Sequence, residues 1–115
     1  MKILVPVLIE KKIHYKPVEV VKEFTLTLPS GYVYRCAVHP SLMEPGKYDA
    51  CEWETGFMLS MKSQVEVDWA ATNAATWLKL RVEKYGEAAV KGMIDTVRMD
   101  SGVNGPDGYE EDHGL

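Results

Sequence analysis

The stretch SQVEVDWAATNAATWLKLRVEKYG, residues Ser63 to Gly86, has a readable start, a readable stop and one continuous apolar stripe. Ser63 with Glu66 three residues on predicts a capping box, in which each side chain bonds the other residue's amide. Gly86 predicts the stop, because glycine takes a positive φ without penalty. At 100° per residue Val67, Ala70, Ala71, Ala74, Leu78, Val82 and Tyr85 share one face, which is the spacing of a helix packed on a core. The rest of the chain has to cover that stripe.

Past Gly86 a second amphipathic helix fits Glu87 to Arg98, with Ala89, Val90, Met93, Ile94 and Val97 together on one side. The short connector implies a helical hairpin or a sharp bend. From Ser101 onward, SGVNGPDGYEEDHGL is glycine-rich, acidic and aperiodic, so residues 101–115 are expected to be a flexible tail to a single domain of residues 1–100.

Upstream of the helix the period changes from 3.6 to 2. Lys2 to Ile9 is aliphatic and β-branched, and Pro6, having no N–H, predicts an edge strand. A polar turn at Glu10, Lys11 and Lys12 precedes a possible second strand over Ile13 to Val21, interrupted by Pro17. Phe24, Leu26 and Leu28 alternate with threonines, Pro29-Ser30-Gly31 turns, and Tyr32 to Val38 returns: a hairpin. His39 to Tyr48 reads as a loop, the segment expected to be most mobile. Cys51 to Leu59 reads as a further strand, bulged or folded back at Gly56. An antiparallel sheet of about 4–5 strands in the N-terminal half, followed by a long helix and a shorter one on one face, is the α+β class.

Composition bounds the function. With 115 residues, 46% hydrophobic and 26% charged, the chain can bury one core. Thirteen basic against seventeen acidic residues, a net charge of −4, argues against a nucleic-acid partner. Ile3 to Ile9 is too short to span a bilayer and lacks the flanks of a leader, so no membrane partner and a cytoplasmic location are expected. Two cysteines suit a reducing compartment, although a Cys36–Cys51 bridge stays open on sequence alone.

Each candidate chemistry has a plainer reading beside it. Cys36 and His39 are three apart and fall on opposite faces of a strand, so they do not form a nucleophile and base, and Cys51 and His14 do not complete a metal set. Glu52 and Glu54 share a strand face as acid–base pairs do, but equally as solvated carboxylates do. With Asp100 first in a calcium loop, Asn104 is fifth, Gly105 sixth and Glu111 twelfth. Gly102 then supplies no third ligand and Asp107 takes an apolar position. No phosphate loop, dinucleotide fingerprint or nucleophile elbow occurs. No catalytic residue, metal site or cofactor is assigned.

What stands out is the other side of the main helix. Trp69, Asn73, Thr76 and Leu80 lie away from the alanine stripe, with Trp77 on the shoulder between. Bulky apolar groups there mean either burial under a second layer of the same chain or a face offered to a partner. The leading expectation is therefore a small non-catalytic protein that binds another protein or a second copy of itself. It would be an inhibitor or accessory subunit, of the kind phages and mobile elements encode. The alternative is a small-molecule binder or minor enzyme with a pocket between the sheet and the 39–48 loop, using Tyr32, Tyr34, Arg35, His39 and Trp53.

Overall fold

The computed structural model describes residues 1–59 and 62–108. Five strands come first, β1 (Lys2–Ile9), β2 (Lys12–Glu19), β3 (Lys22–Thr27), β4 (Val33–Pro40) and β5 (Tyr48–Glu52). Two helices follow, α1 (Val67–Tyr85) and α2 (Glu87–Ser101). This is the α+β order expected, but the strands form two antiparallel sheets rather than one, β1-β2 and β3-β4-β5. The division falls between two adjacent valines. Val20 donates its N–H to the Met1 carbonyl in the first sheet, and Val21 donates to Val38 in the second.

Strands β4 and β5 of the three-stranded sheet are covered on both faces, while Glu23, Thr25 and Thr27 of β3 are exposed, and the period-2 alternation of β4 sorts its residues between two cores. Tyr34, Cys36 and Val38, with Leu26 and Ala50, meet Ala70, Ala74 and Leu78 of α1 and Val90 and Ile94 of α2. Ala37, with Cys51 and Trp53, meets Ile3, Val5 and Val18 at the base of the β1-β2 hairpin. The distal half of that hairpin extends from the body as an arm.

The arm is held in register by its turn and spared strain by the placement of its prolines. Glu10 and Lys11 take φ of 51° and 66°, the double left-handed conformation of a two-residue hairpin turn. The Leu4 amide and carbonyl both bond Asn104, away from β2, so alternate residues of β1 direct their backbone groups outward. Pro6 shares that outward phase, and Pro17 lies opposite Leu4, so neither removes a bond between the strands.

The helices begin where tertiary contacts allow. The expected capping box does not form: Glu66 occupies the cap position of α1, with extended backbone and no side-chain cap. Ser63 is buried and donates its hydroxyl to Asp49 Oδ1 at 2.5 Å, while Gln64 exchanges backbone bonds with Tyr48. Pairing with the edge of β5 thus carries residues 63 and 64 away from the helix start. At the other end Gly86, at φ 86°, caps α1 and begins α2 directly. Tyr85, assigned to the core stripe on spacing, is exposed.

Of two further segments, one takes the folded-back alternative at Gly56 and the other differs from expectation. The Cys51–Leu59 strand ends at Glu52 and folds back, with Leu59 donating to Ala50 across the turn. Gly56 there has φ 69°, and a side chain on it would meet the Leu4 carbonyl at 2.4 Å, so only glycine fits. The expected tail is docked where it is described. Val103 and Asn104 donate to the Glu54 carbonyl, the buried Asn104 amide bonds Leu4 and the Trp53 carbonyl, and Gly105 accepts from the Trp53 indole at 2.8 Å. Residues 109–115 of that expectation lie outside the described residues.

Asn104→Ala leaves the Leu4 amide, the Leu4 carbonyl and the Trp53 carbonyl without their partner. It should lower the free energy of unfolding by about 2–3 kcal/mol in a urea titration. An unchanged midpoint would show that this segment contributes nothing to the fold.

Candidate functional site

The far side of α1 is exposed. Trp69 is 55% and Leu80 58% accessible, Thr76 is exposed, and Asn73 is half-buried. Trp77 leans inward and packs against the helix-side core. Among the described residues no second layer covers the face, because the remaining strands lie beyond the three-stranded sheet on its opposite side.

Beside this face α1 and α2 diverge to leave a groove of about 400 Å³, lined by Phe57, Trp77, Arg81, Tyr85, Val90 and Met93. The Arg81 guanidinium lies 5.3 Å from the Trp77 ring centre, an edge that is cationic as well as aromatic. Trp77 belongs both to the groove wall and to the shoulder of the exposed face, so the two form one surface. Met93 and Tyr85 were read as core residues because spacing alone does not reveal that adjoining helices diverge. Their bulk next to small Ala89 is the only sequence signal of a groove.

The five residues of the alternative pocket do not converge. Tyr34 faces the helices and donates its hydroxyl to Asp95, and its ring is 5.0 Å from that of Tyr32. Burial and the Asp95 charge push the Tyr34 phenol upward from its ordinary value. Arg35 faces the other way, its guanidinium 3.6 Å from the centre of the Trp53 ring and bonded to Glu23 and the Pro106 carbonyl. His39 alone lines the trough beside the 39–48 loop, a space of about 430 Å³ walled by Pro6, Leu8, Leu42, Met43 and Met58. Burial pushes the His39 pKa down. A carbonyl only accepts, so the 2.8 Å contact to Pro40 O makes Nδ1 the protonated nitrogen of the neutral ring.

The paired carboxylates have separate structural tasks. Glu52 is buried, and its oxygens accept from the Glu54 and Thr55 amides and the Thr55 hydroxyl, closing the turn. Glu54 receives both Nε and Nη2 of Arg98, and these hydrogen bonds, with the guanidinium charge, hold the carboxyl below its usual range. Asn104, fifth in the candidate calcium loop, has its amide committed to Leu4 and Trp53. Glu111 of that loop lies outside the described residues. Among the described residues no cluster of three metal-type side chains occurs, and no helix is long and apolar enough to cross a membrane.

Both cysteines are free and buried. Cys36 lies on the helix side of the sheet and Cys51 on the hairpin side, which rules out a bridge between them. Comparison with family models, with curated proteins and with solved structures finds no match.

Burial, with the nearby Glu52 charge, pushes the Cys36 thiol up to about 12, and burial pushes Cys51 up as well. At pH 8 the Cys36 thiolate is then on the order of 1 part in 10⁴. The native protein should resist iodoacetamide while the urea-unfolded chain alkylates at both thiols. Rapid labelling of Cys36 in the folded state would contradict this packing.

Proposed function

We propose that this is a non-catalytic binding protein that captures another protein on the far side of α1 and in the adjoining groove, as an accessory or inhibitory subunit. The observation that carries the reading is the exposure of Trp69 and Leu80 next to an apolar groove lined by Trp77 and Met93. A folded domain gains nothing from leaving a tryptophan and a leucine in water, whereas Trp is enriched among residues that dominate binding energy. The methionine supplies an adaptable wall. An amphipathic partner helix laid along the groove, with apolar anchors one turn apart, matches this shape.

The polar groups support binding over chemistry. Asp49 receives Ser63, Glu52 closes its own turn, and Glu54 is paired with Arg98. The small-molecule alternative is the weaker reading, since of its five residues His39 lines the trough beside the 39–48 loop and Tyr32 a separate cleft with Arg98.

Trp69→Ala combined with Leu80→Ala removes two exposed side chains, so the fold should hold to within about 0.5 kcal/mol per site. Partner capture should weaken by at least about 2 kcal/mol, roughly thirtyfold. Pull-downs from the native host with the wild type and the double variant, read by mass spectrometry and beside thermal melts, test this. A folded variant that retains the same captured proteins contradicts the proposed face.

A further inference from the structure

A second apolar surface lies on the arm, on the opposite side of the three-stranded sheet from the helices. Cross-strand register places Leu4 opposite Pro17, Pro6 opposite Tyr15 and Leu8 opposite Ile13, and by the period-2 rule all six side chains share one face of the hairpin. The other face is the one that packs on the body through Ile3, Val5 and Val18. No polar residue interrupts the six. Leu4 and Pro6 near the base are half-buried, and Pro6 and Leu8 also edge the trough beside the 39–48 loop, but toward the tip the face is bare: Leu8 is 73% and Ile13 66% accessible. An isolated two-stranded ribbon is marginal in water, and here its outward face is the one that would gain most from a cover.

We infer that this face is the contact between two copies of the chain, arm against arm about a twofold axis. The distribution of charge identifies that occupant. Lys12, His14 and Lys16 alternate with Ile13, Tyr15 and Pro17, and therefore belong to the opposite face of the arm. On the apolar face the charged groups lie at the base, where Lys2 is opposite Glu19 in register and the Met1 ammonium bonds Glu19, and the part between Leu4 and Leu8 carries none. The distal part of the face is uncharged, so turning it onto its own copy sets no like charges together, and an apolar patch is its own complement across a twofold axis. An anionic lipid surface is a poorer fit, because the lysines that would meet it are directed away. Addition of a strand is also disfavoured, since Pro6 and Pro17 remove donors from the two outer edges.

Eight residues at about 3.3 Å each give a face roughly 26 Å long. Two strands of that length cover on the order of 400 Å² per copy, about half a standard interface, so the dimer is weak, in the micromolar range or above. The arm and the far side of α1 are separated by the central sheet, so the dimer would present two partner-binding faces. The inference does not depend on that reading.

Sedimentation equilibrium of the full chain from about 1 µM to about 1 mM spans the expected range. A reversible monomer–dimer equilibrium is expected. Leu8→Lys with Ile13→Lys should weaken it by at least about tenfold, the effect of charging a dry apolar contact, whereas Lys12→Ala with Lys16→Ala on the other face should not. Hydrogen exchange of the wild type, dilute against concentrated, should show protection gained over residues 4–17, which covers the case of a charged variant that does not fold. A wild type that remains monomeric, including one that instead floats with anionic vesicles, overturns the inference. A dimer that survives the charged pair, or that gains no protection on the arm, overturns it too.

Discussion

Burial of β4 on both faces is the constraint on which the rest depends. An antiparallel strand usually has one wet face, but Tyr34, Cys36 and Val38 are covered by helices while Ala37 and His39 are closed off on the other side. The one cation on this stretch, Arg35, is accommodated by stacking on Trp53 and bonding Glu23. A strand in the middle layer needs two covers, and among the described residues the hairpin base and the two helices supply them. Among the described residues no element forms a fourth layer. The outer face of the arm and the far side of α1 are therefore left in water by the same geometry.

The covers are secured differently. The helices are held by an apolar stripe in which Ala70 and Ala74 allow close approach to the sheet, supplemented by the bidentate pair of Arg98 with Glu54. The hairpin is held by fewer side chains and depends on polar closure. Asn104 bonds both backbone groups of Leu4, and Gly56 lies against the same strand where no larger residue fits. A glycine with no side chain and an asparagine with three bonds substitute for the area that a two-stranded ribbon lacks.

How much of this was legible in the sequence follows from the range of each interaction. Local signals were reliable: the β3-β4 hairpin, the two helices and the near-absence of a connector at Gly86 depend on periodicity and on residues that are neighbours in the chain. The opposition of Cys36 and His39 followed from strand geometry. Ser63 misled, because a capping box and a serine that bonds a distant aspartate look the same until Asp49 is placed beside it. The split into two sheets turns on Val20 and Val21, identical side chains with different distant partners. Asn104 lies in a run of tail-like composition, and its role depends on Leu4, a hundred residues away. The exposed set of Trp69, Asn73, Thr76 and Leu80 was readable as a face, but whether that face was covered depended on which side of the sheet received the hairpin. The apolar face of the arm was missed because β1 is apolar throughout, and only the pairing with Ile13, Tyr15 and Pro17 shows which residues share a side.

Native-state hydrogen exchange, read residue by residue by NMR in dilute solution, tests the central claim most directly. With β4 enclosed between two covers, its amides should exchange last of all. The Trp53 indole N–H, bonded to Gly105, should be protected as well, while the Trp69 indole exchanges at once. Protection ends where cover ends. Slow exchange at the Trp69 indole, or β4 amides no slower than those at the tip of the arm, would contradict the three-layer arrangement and with it both exposed faces.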